Sequence, residues 1–248
     1  MYQNVLVEKK RRVAVLTFNR PKVMNAINLG LIQDVSRALE ELDADDEVRV
    51  VIMTGAGRAF STGHDMAASD AEITELINFR EGKLLSFSKP LIAAVHGYVL
   101  GYGLQLALTC DIIIASANTV LGITGPLVGT LEPGSILLLP GMVGRHKASE
   151  LLLTCERIDA AEALSIGLLN KVVPHEQLMP AAWTMAEKIT RMSPRSIEYT
   201  RRALRWGLFE GERNDYVREG LSLLFASEDY QEAVRAFKKK REPDFKGK

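Results

Sequence analysis

Two glycine-rich segments are the parts of this sequence whose chemistry is most open to prediction. The first spans residues 55–66 (GAGRAFSTGHDM), and the second spans residues 96–104 (HGYVLGYGL). Glycine lets the backbone turn at positive φ and lets a ligand approach the peptide plane. A helix N-terminus adds N–H groups and positive potential. We predict that the two turns aim two backbone N–H groups at one developing oxyanion; each segment alone also suits an ordinary strand-to-helix turn.

Other uses of these glycines fail on spacing. Phe60 stands where a dinucleotide-binding fingerprint needs a glycine, and no Gly-Lys-Ser/Thr follows either turn. The chain has no Gly-x-Ser-x-Gly nucleophile elbow. Its histidines, at positions 64, 96, 146 and 175, form no ligand cluster, so we expect no metal site.

Composition narrows the class of protein further. The 248 residues carry 31 basic and 31 acidic side chains, which argues against nucleic-acid binding. Apolar runs are too short for a membrane helix, and we expect no N-terminal targeting segment. The two cysteines, Cys110 and Cys155, provide neither a disulfide framework nor a zinc site, so we expect a cytoplasmic location.

The elements that position the glycine segments alternate between strands and helices. Strands are predicted at residues 5–8, 13–18, 48–53, 90–95 and 111–115, and helices at 31–42 and 104–109. The continuous apolar runs at 48–53 and 90–95 are typical of buried parallel strands. This alternation predicts an α/β fold with helices packed on a sheet.

The second half of the chain is predicted to be mainly helical. Helices are expected at residues 147–155, 160–165, 179–192, 193–208, 216–226 and 230–240, with residues 227–229 as a cap before the last one. Only one strand is predicted there, at residues 169–173.

Five segments, taken in order, resemble one known family. They are residues 59–66 and 97–104 within the glycine segments, 19–26 (NRPKVMNA), 111–115 (DIIIA) and 160–170 (AAEALSIGLLN). Together they cover nearly the whole chain and resemble the crotonase superfamily of enoyl-CoA hydratases and isomerases.

The resemblance implies a spiral of ββα units followed by a helical segment that forms trimers, often paired as hexamers. We therefore expect a core at residues 1–192 that holds a CoA-ester site. Residues 193–248 would serve oligomerisation and site closure. The ligand would be an acyl-CoA thioester, with coenzyme A as part of the substrate and no separate cofactor.

The same resemblance assigns the oxyanion donors to the backbone N–H groups of His64 and Tyr102. Gly101 and Gly103 would shape the second turn, and the Tyr102 ring would shape the acyl pocket. Asp65 is expected to cap the helix after the first loop rather than act as a base. Substrate contacts are also implied for Lys22, Ala26, Asp65, Met66, Ala67, Gly101, Gly103, Phe245 and Lys246.

The sequence departs from the hydratases at two positions. Hydratases use two glutamates to position and activate water, and here Gln105 and the pair Thr124–Gly125 stand at those positions. Glutamine can hydrogen-bond a water molecule but cannot take its proton. One carboxylate remains in the segment 129–135 (GTLEPGS), that of Glu132. It resembles the single base of Δ3,Δ2-enoyl-CoA isomerases and also the aspartate nucleophile of aryl-CoA dehalogenases.

We therefore predict double-bond isomerisation with Glu132 as the base. Burial beside apolar neighbours would raise the pKa of its carboxyl group toward neutrality; the expected neighbours are Leu127, Leu131 and Ile136. The alternatives are a hydratase in which Gln105 and Glu132 hold water, a hydrolase or dehalogenase, and a non-catalytic acyl-CoA-binding paralogue. Glu132 could instead be a solvated cap of a helix that starts near Ser135.

Overall fold

A largely parallel sheet forms the centre of the fold. The computed structural model describes residues 2–68, 72, 86–206, 222–241 and 243, and in this part of the chain the sheet has six strands. Their order is β1, β2, β3, β4, β6, β9, and only the β1–β2 pair is antiparallel. Their bounds are β1 Val5–Lys10, β2 Val13–Phe18, β3 Val50–Gly55, β4 Leu91–Val95, β6 Ile112–Ser116 and β9 Lys171–Val173.

A smaller sheet stands beside the main one. It joins β5 (Tyr98–Leu100) in parallel to β7 (Val120–Gly122), and β7 pairs antiparallel with β8 (Ile158–Asp159). Since β4 and β5 are separated by only two residues, the chain passes directly from one sheet to the other at this point.

Helices cover the sheets and fill the second half of the chain. Among the described residues, three short 3₁₀ turns accompany them, at Pro21–Val23, Pro126–Val128 and His175–Gln177. The described α-helices are α1 Leu29–Ala44, α2 Tyr102–Leu108, α3 Pro133–Val143, α4 Arg145–Thr154, α5 Ala160–Ser165, α6 Leu178–Thr190, α7 Pro194–Trp206 and α8 Glu228–Lys238.

Strand β3 shows why the central strands read as continuous apolar runs. Val51 and Met53 pack into the large core cluster, whereas Val50 and Ile52 pack into a second cluster with helix α6. Both faces of the strand are therefore buried, as expected for a parallel strand between two helical layers. The segments that follow β3 and β4 leave the sheet at its C-terminal edge, where α/β folds place their ligands.

The α/β fold class and the long strands and helices predicted from the sequence are confirmed. The prediction of a single late strand is wrong because Ile158–Asp159 also pairs, with β7. The helix expected at 104–109 begins two residues earlier, and residues 98–100, expected to lie within a turn, form β5. Of the helix expected at 216–226, residues 216–221 lie outside the described residues.

Two further expectations concern helix ends and membranes. The predicted cap at residues 227–229 is confirmed, since the Ser227 side chain accepts a hydrogen bond from the Tyr230 N–H. None of the helices in the described part of the chain combines the length and apolar character that a bilayer crossing requires.

A partly buried ion pair joins helix α7 to the residue before strand β6 of the main sheet. The Arg201 guanidinium lies 2.5 Å from the Asp111 carboxylate and also donates to the Phe87 carbonyl. The same Asp111 oxygen accepts a hydrogen bond from the Leu91 N–H at the start of β4. The Arg201 side chain is 6% exposed and that of Asp111 is 26% exposed, so the contact docks α7 through a buried cation and a carboxylate that water still reaches.

Replacing Arg201 should weaken the fold strongly. In Arg201→Met the hydrogen bonds of the guanidinium to the Asp111 carboxylate and the Phe87 carbonyl are lost, and we expect the free energy of unfolding to fall by about 1.5–3 kcal/mol. Urea denaturation measures this change. Lys9→Met removes the exposed Lys9–Asp45 pair and should leave the midpoint nearly unchanged. Equal losses in the two variants would contradict the proposed docking role.

Candidate active site

The two glycine segments run side by side. The Ser61 N–H donates to the Tyr98 carbonyl, and the Leu100 N–H donates to the Ser61 carbonyl, so residue 61 pairs in parallel with Val99 of strand β5. These bonds fix the register between the segments. The turns that follow, at residues 63–64 and 101–102, therefore lie next to each other.

Gly63 makes the close approach of the two turns possible. Its φ is +90°, a conformation that side chains disfavour. A Cβ atom at this position would lie 3.0 Å from the Leu100 carbonyl oxygen and 3.3 Å from the Tyr102 nitrogen. The residue before His64 therefore lies so close to the amide of Tyr102 that a side chain would crowd it.

The backbone around each turn sets the direction of its amide group. Ile27 bonds with Gly63 and Asp65 on either side of His64, which directs the His64 N–H away from Ile27. Tyr102 is the first residue of α2, ahead of the first helical bond. Two adjacent amides in this arrangement can donate to one ligand oxygen.

Asn25 holds the first turn in place, and the sequence analysis did not assign it this role. It is fully buried, and its Nδ2 donates to the carbonyls of Ala59 at 2.7 Å and Ala56 at 2.9 Å. Its Oδ1 accepts from the Arg20 N–H, and its carbonyl accepts from the Ser61 hydroxyl. In the sequence, only its position within the family-like segment 19–26 pointed to it. Asparagine tolerates the observed φ of +54° better than most residues do.

An ion pair joins the same segment to Asp65. The Arg20 guanidinium donates to the Asp65 carboxylate at 2.9 Å and to the Ala26 carbonyl at 2.5 Å. The other carboxylate oxygen of Asp65 accepts from the Ala67 N–H within a turn. The helix that Asp65 is expected to cap would begin among residues outside the described ones, so that expectation stays a prediction. The sequence analysis also missed Arg20, which fixes the entrance of the first turn.

Glu132 is held by a set of hydrogen-bond donors. Its Oε1 accepts from the N–H groups of Thr124 at 2.6 Å and Gly125 at 2.8 Å, and from the Thr124 hydroxyl at 3.1 Å. Its Oε2 accepts from the Ser135 hydroxyl at 3.0 Å. The residue is 4% exposed. The alternative of a solvated helix cap is therefore wrong, although Glu132 does precede the first residue of α3.

Burial and hydrogen bonding act on the acidity of Glu132 in opposite directions. Burial is the larger effect and raises the pKa of the carboxyl group above its ordinary value, while the bonds from Thr124, Gly125 and Ser135 lower it. The expected direction is thus confirmed. Of the apolar neighbours expected to cause it, Leu127 is instead 52% exposed.

The side chain of Glu132 occupies the space beside Gly125, where the resemblance places the second hydratase glutamate. A Cβ atom on Gly125 would lie 3.0 Å from the Glu132 Cγ. A Cβ atom on Gly101, the residue before Tyr102, would lie 3.4 Å from the Glu132 Oε1. The carboxylate therefore reaches the turn that carries the Tyr102 amide.

A cavity of about 180 Å³ brings most of the predicted residues together. Gln105 faces it with its carboxamide oxygen bonded to the Gly134 N–H at 2.9 Å. The His64 and Tyr102 rings lie 4.7 Å apart. The predicted site residues that line the cavity are His64, Asp65, Met66, Tyr102, Gln105 and Glu132.

The remaining predicted residues lie around this cavity or outside the residues that the structure describes. Lys22 is exposed in the 3₁₀ turn Pro21–Val23, Ala26 is nearly buried, and Ala67 is exposed after Met66. Gly101 and Gly103 flank Tyr102 at the start of α2. Phe245 and Lys246 lie outside the described residues. Within the described ranges, no three His, Cys, Asp or Glu side chains are placed to hold a metal ion.

Comparison with known proteins decides the family. A family model for enoyl-CoA hydratase/isomerase matches residues 8–248. The chain belongs to this family. The short-chain-enoyl-CoA hydratase of Clostridium acetobutylicum is 36% identical to this chain over 253 residues. The match covers 96% of this chain and 95% of that protein.

Solved structures of this family share the crotonase fold with the chain. A methylmalonyl-CoA decarboxylase structure matches with a TM-score of 0.87 and 30% identity over the full length of both chains. A monofunctional enoyl-CoA isomerase from M. smegmatis matches with a TM-score of 0.73 and 37% identity, over 86% of this chain and 98% of its own.

The raised pKa of Glu132 predicts a pH-dependent stability. Between the ordinary pKa and the raised one, the folded chain binds more protons than the unfolded chain, so the free energy of unfolding falls as the pH rises. Glu132→Gln removes this titration and keeps the shape of the side chain. We expect the stability of the variant relative to the wild type to increase as the pH rises above the ordinary carboxyl pKa, as measured by urea denaturation. Parallel stability curves would contradict the raised pKa.

Proposed function

We propose that this chain moves the double bond of an acyl-CoA from C3–C4 to C2–C3, with Glu132 as its single acid–base group. The supporting observation is that one buried carboxylate fills the space beside Gly125 and reaches the turn that carries the Tyr102 amide. The site thus offers a buried proton carrier next to two backbone donors.

The proton and charge balance of this reaction needs only those groups. The Glu132 carboxylate removes a proton from C2 of a 3-enoyl-CoA, and the electron pair spreads over the dienolate to the thioester oxygen. The His64 and Tyr102 N–H groups stabilise the negative oxygen. The carboxylic acid then returns the proton to C4, which leaves the conjugated 2-enoyl-CoA and restores the carboxylate.

The acidity of Glu132 suits both halves of this cycle. A base is most effective when its pKa lies close to the working pH, and burial moves the pKa of Glu132 in that direction. The donors around the carboxylate keep the ionised form accessible despite burial.

The substrate would enter along the first turn. We propose that Lys22, Ala26, Met66 and Ala67 contact the CoA moiety, with Asp65 held in place by Arg20. Phe245 and Lys246 would join them from the tail. The cavity of about 180 Å³ formed by the described residues is smaller than the ~300–1,000 Å³ typical of drug-sized ligands, so it favours a short acyl chain. Trimers or pairs of trimers remain part of the proposal.

Hydration of a 2-enoyl-CoA is the second candidate. Gln105 and Glu132 line the same cavity, so a water molecule can be held by the carboxamide and deprotonated by the carboxylate. The Clostridium relative is named as a hydratase. This reaction consumes the conjugated thioester, whereas isomerisation forms it.

Glu132→Gln should abolish isomerisation while the protein stays folded. Since the amide cannot carry the proton, we expect kcat with 3-hexenoyl-CoA to fall by about 100- to 10,000-fold. The appearance of conjugated thioester absorbance measures the rate. The exposed Glu8→Gln is the matched control and should keep the wild-type rate.

Each of the other outcomes indicates a different function for this chain. Loss of absorbance from a 2-enoyl-CoA, with no action on 3-hexenoyl-CoA, indicates the hydratase. Release of free CoA or halide indicates a hydrolase or dehalogenase. Ester binding without turnover of any ester indicates the non-catalytic paralogue, and full activity in Glu132→Gln would refute the assigned base.

Gly63→Ala tests the two backbone donors. The added Cβ would press on the Leu100 carbonyl and the Tyr102 nitrogen and push the turns apart. We expect kcat to fall by about 100- to 1,000-fold, the usual effect of losing one oxyanion donor. Wild-type affinity for free CoA would show that the rest of the site is intact. An unchanged kcat would exclude this pair of amides as the oxyanion hole.

A further inference from the structure

The acyl cavity contains a buried hydroxyl group that isomerisation does not use. Thr130 lines this cavity and is 9% exposed. Its Oγ1 is buried and has no hydrogen-bond partner among the described residues. Burying an unsatisfied hydroxyl group destabilises a protein, and such groups are rare in folded chains. A hydrogen-bonding atom of a ligand in the cavity would satisfy it.

Gln105 offers a second polar group to the same cavity. The Gly134 N–H bonds to the carboxamide oxygen of Gln105, which identifies the NH₂ group as the end available to a ligand. Thr130 and Gly134 lie two residues before and after Glu132 in the sequence. All three groups line the same cavity, and residues 130–134 supply the hydroxyl, the base and the N–H that holds the carboxamide.

The charge of the cavity limits what these groups can bind. Among the described residues that line it, Asp65 and Glu132 are acidic and there is no lysine or arginine. A ligand carboxylate would meet the buried Glu132 without a cation beside it, which is unfavourable. An uncharged oxygen can accept hydrogen bonds from both Thr130 and Gln105 without this cost. The other walls include apolar side chains, among them Val128, Leu131 and Phe225.

We propose that Thr130 and Gln105 form a subsite that selects acyl-CoA esters whose acyl chain carries an uncharged hydroxyl or keto oxygen. The subsite rests on the proposed function in one respect, that the acyl group lies in this cavity. It does not depend on which reaction follows. The substrate class is therefore an oxygenated short-chain acyl-CoA rather than a plain hydrocarbon or dicarboxylic one.

Binding measurements test the subsite without relying on turnover. Isothermal titration of Glu132→Gln compares butyryl-CoA, 3-hydroxybutyryl-CoA and 4-hydroxybutyryl-CoA, because this variant should not consume them. Succinyl-CoA and butyryl-CoA are compared in the wild type, which keeps the Glu132 carboxylate. We expect at least one hydroxy ester to bind about 10-fold more tightly than butyryl-CoA, as one added hydrogen bond to buried donors would give. Succinyl-CoA should bind no more tightly than butyryl-CoA.

Two changes at Thr130, each made in the Glu132→Gln variant, test the role of the hydroxyl group alone. Thr130→Val keeps the shape and should remove most of the preference for the hydroxy ester while butyryl-CoA binds as before. Thr130→Ser keeps the hydroxyl and should retain the preference, which also guards against a folding defect in the valine variant.

Several results would overturn the subsite. Equal affinity for hydroxy and plain esters would refute it and leave the proposed function standing, as would equal weakening of all esters by Thr130→Val. Tightest binding of succinyl-CoA would refute the exclusion of charged groups. Failure of every ester to bind would refute the acyl-CoA function and the subsite together.

Discussion

The site depends on the buried carboxylate of Glu132, which accepts four hydrogen bonds. Removing a charged carboxylate from water costs several kcal/mol, and in Glu132 the amides of Thr124 and Gly125 and the hydroxyls of Thr124 and Ser135 offset part of that cost. Burial still has the larger effect, so the pKa stays raised. The donors come from the chain after β7 and from α3, which means that the acidity of the base is set by how these two pieces of backbone meet.

The two differences from the hydratases, glycine at position 125 and glutamate at position 132, depend on each other. Without a side chain, Gly125 leaves room for the Glu132 side chain and supplies an N–H donor to its carboxylate. The neutral Gln105 fits the same arrangement. A second carboxylate at that position would share the cavity with Glu132, and two such groups so close would titrate as a coupled pair, one of them with a strongly raised pKa.

The sequence was informative where a local pattern determines the structure. Continuous apolar runs predicted β3 and β4 because both faces of these strands are buried. The strands β5, β7 and β8 have only two or three residues, too few for any periodicity, so their pairing was not predictable. Glu132 was singled out by elimination, but its donors depend on how the chain folds back on itself. The side-chain bonds of Asn25 likewise connect it to residues more than 30 positions away.

The C-terminal helix contributes to the chemistry through burial. A Cβ on Gly129 would lie 3.2 Å from the backbone of Asp229, so α8 packs directly on the turn that precedes Glu132. Tyr230 and Phe225, whose rings lie 4.6 Å apart, line the cavity together with Glu132. Loss of this cover would expose the carboxylate to water and lower its pKa toward the ordinary value, since burial is the effect that raises it. The packing of α8 on this turn therefore both covers the cavity and keeps the pKa of Glu132 raised.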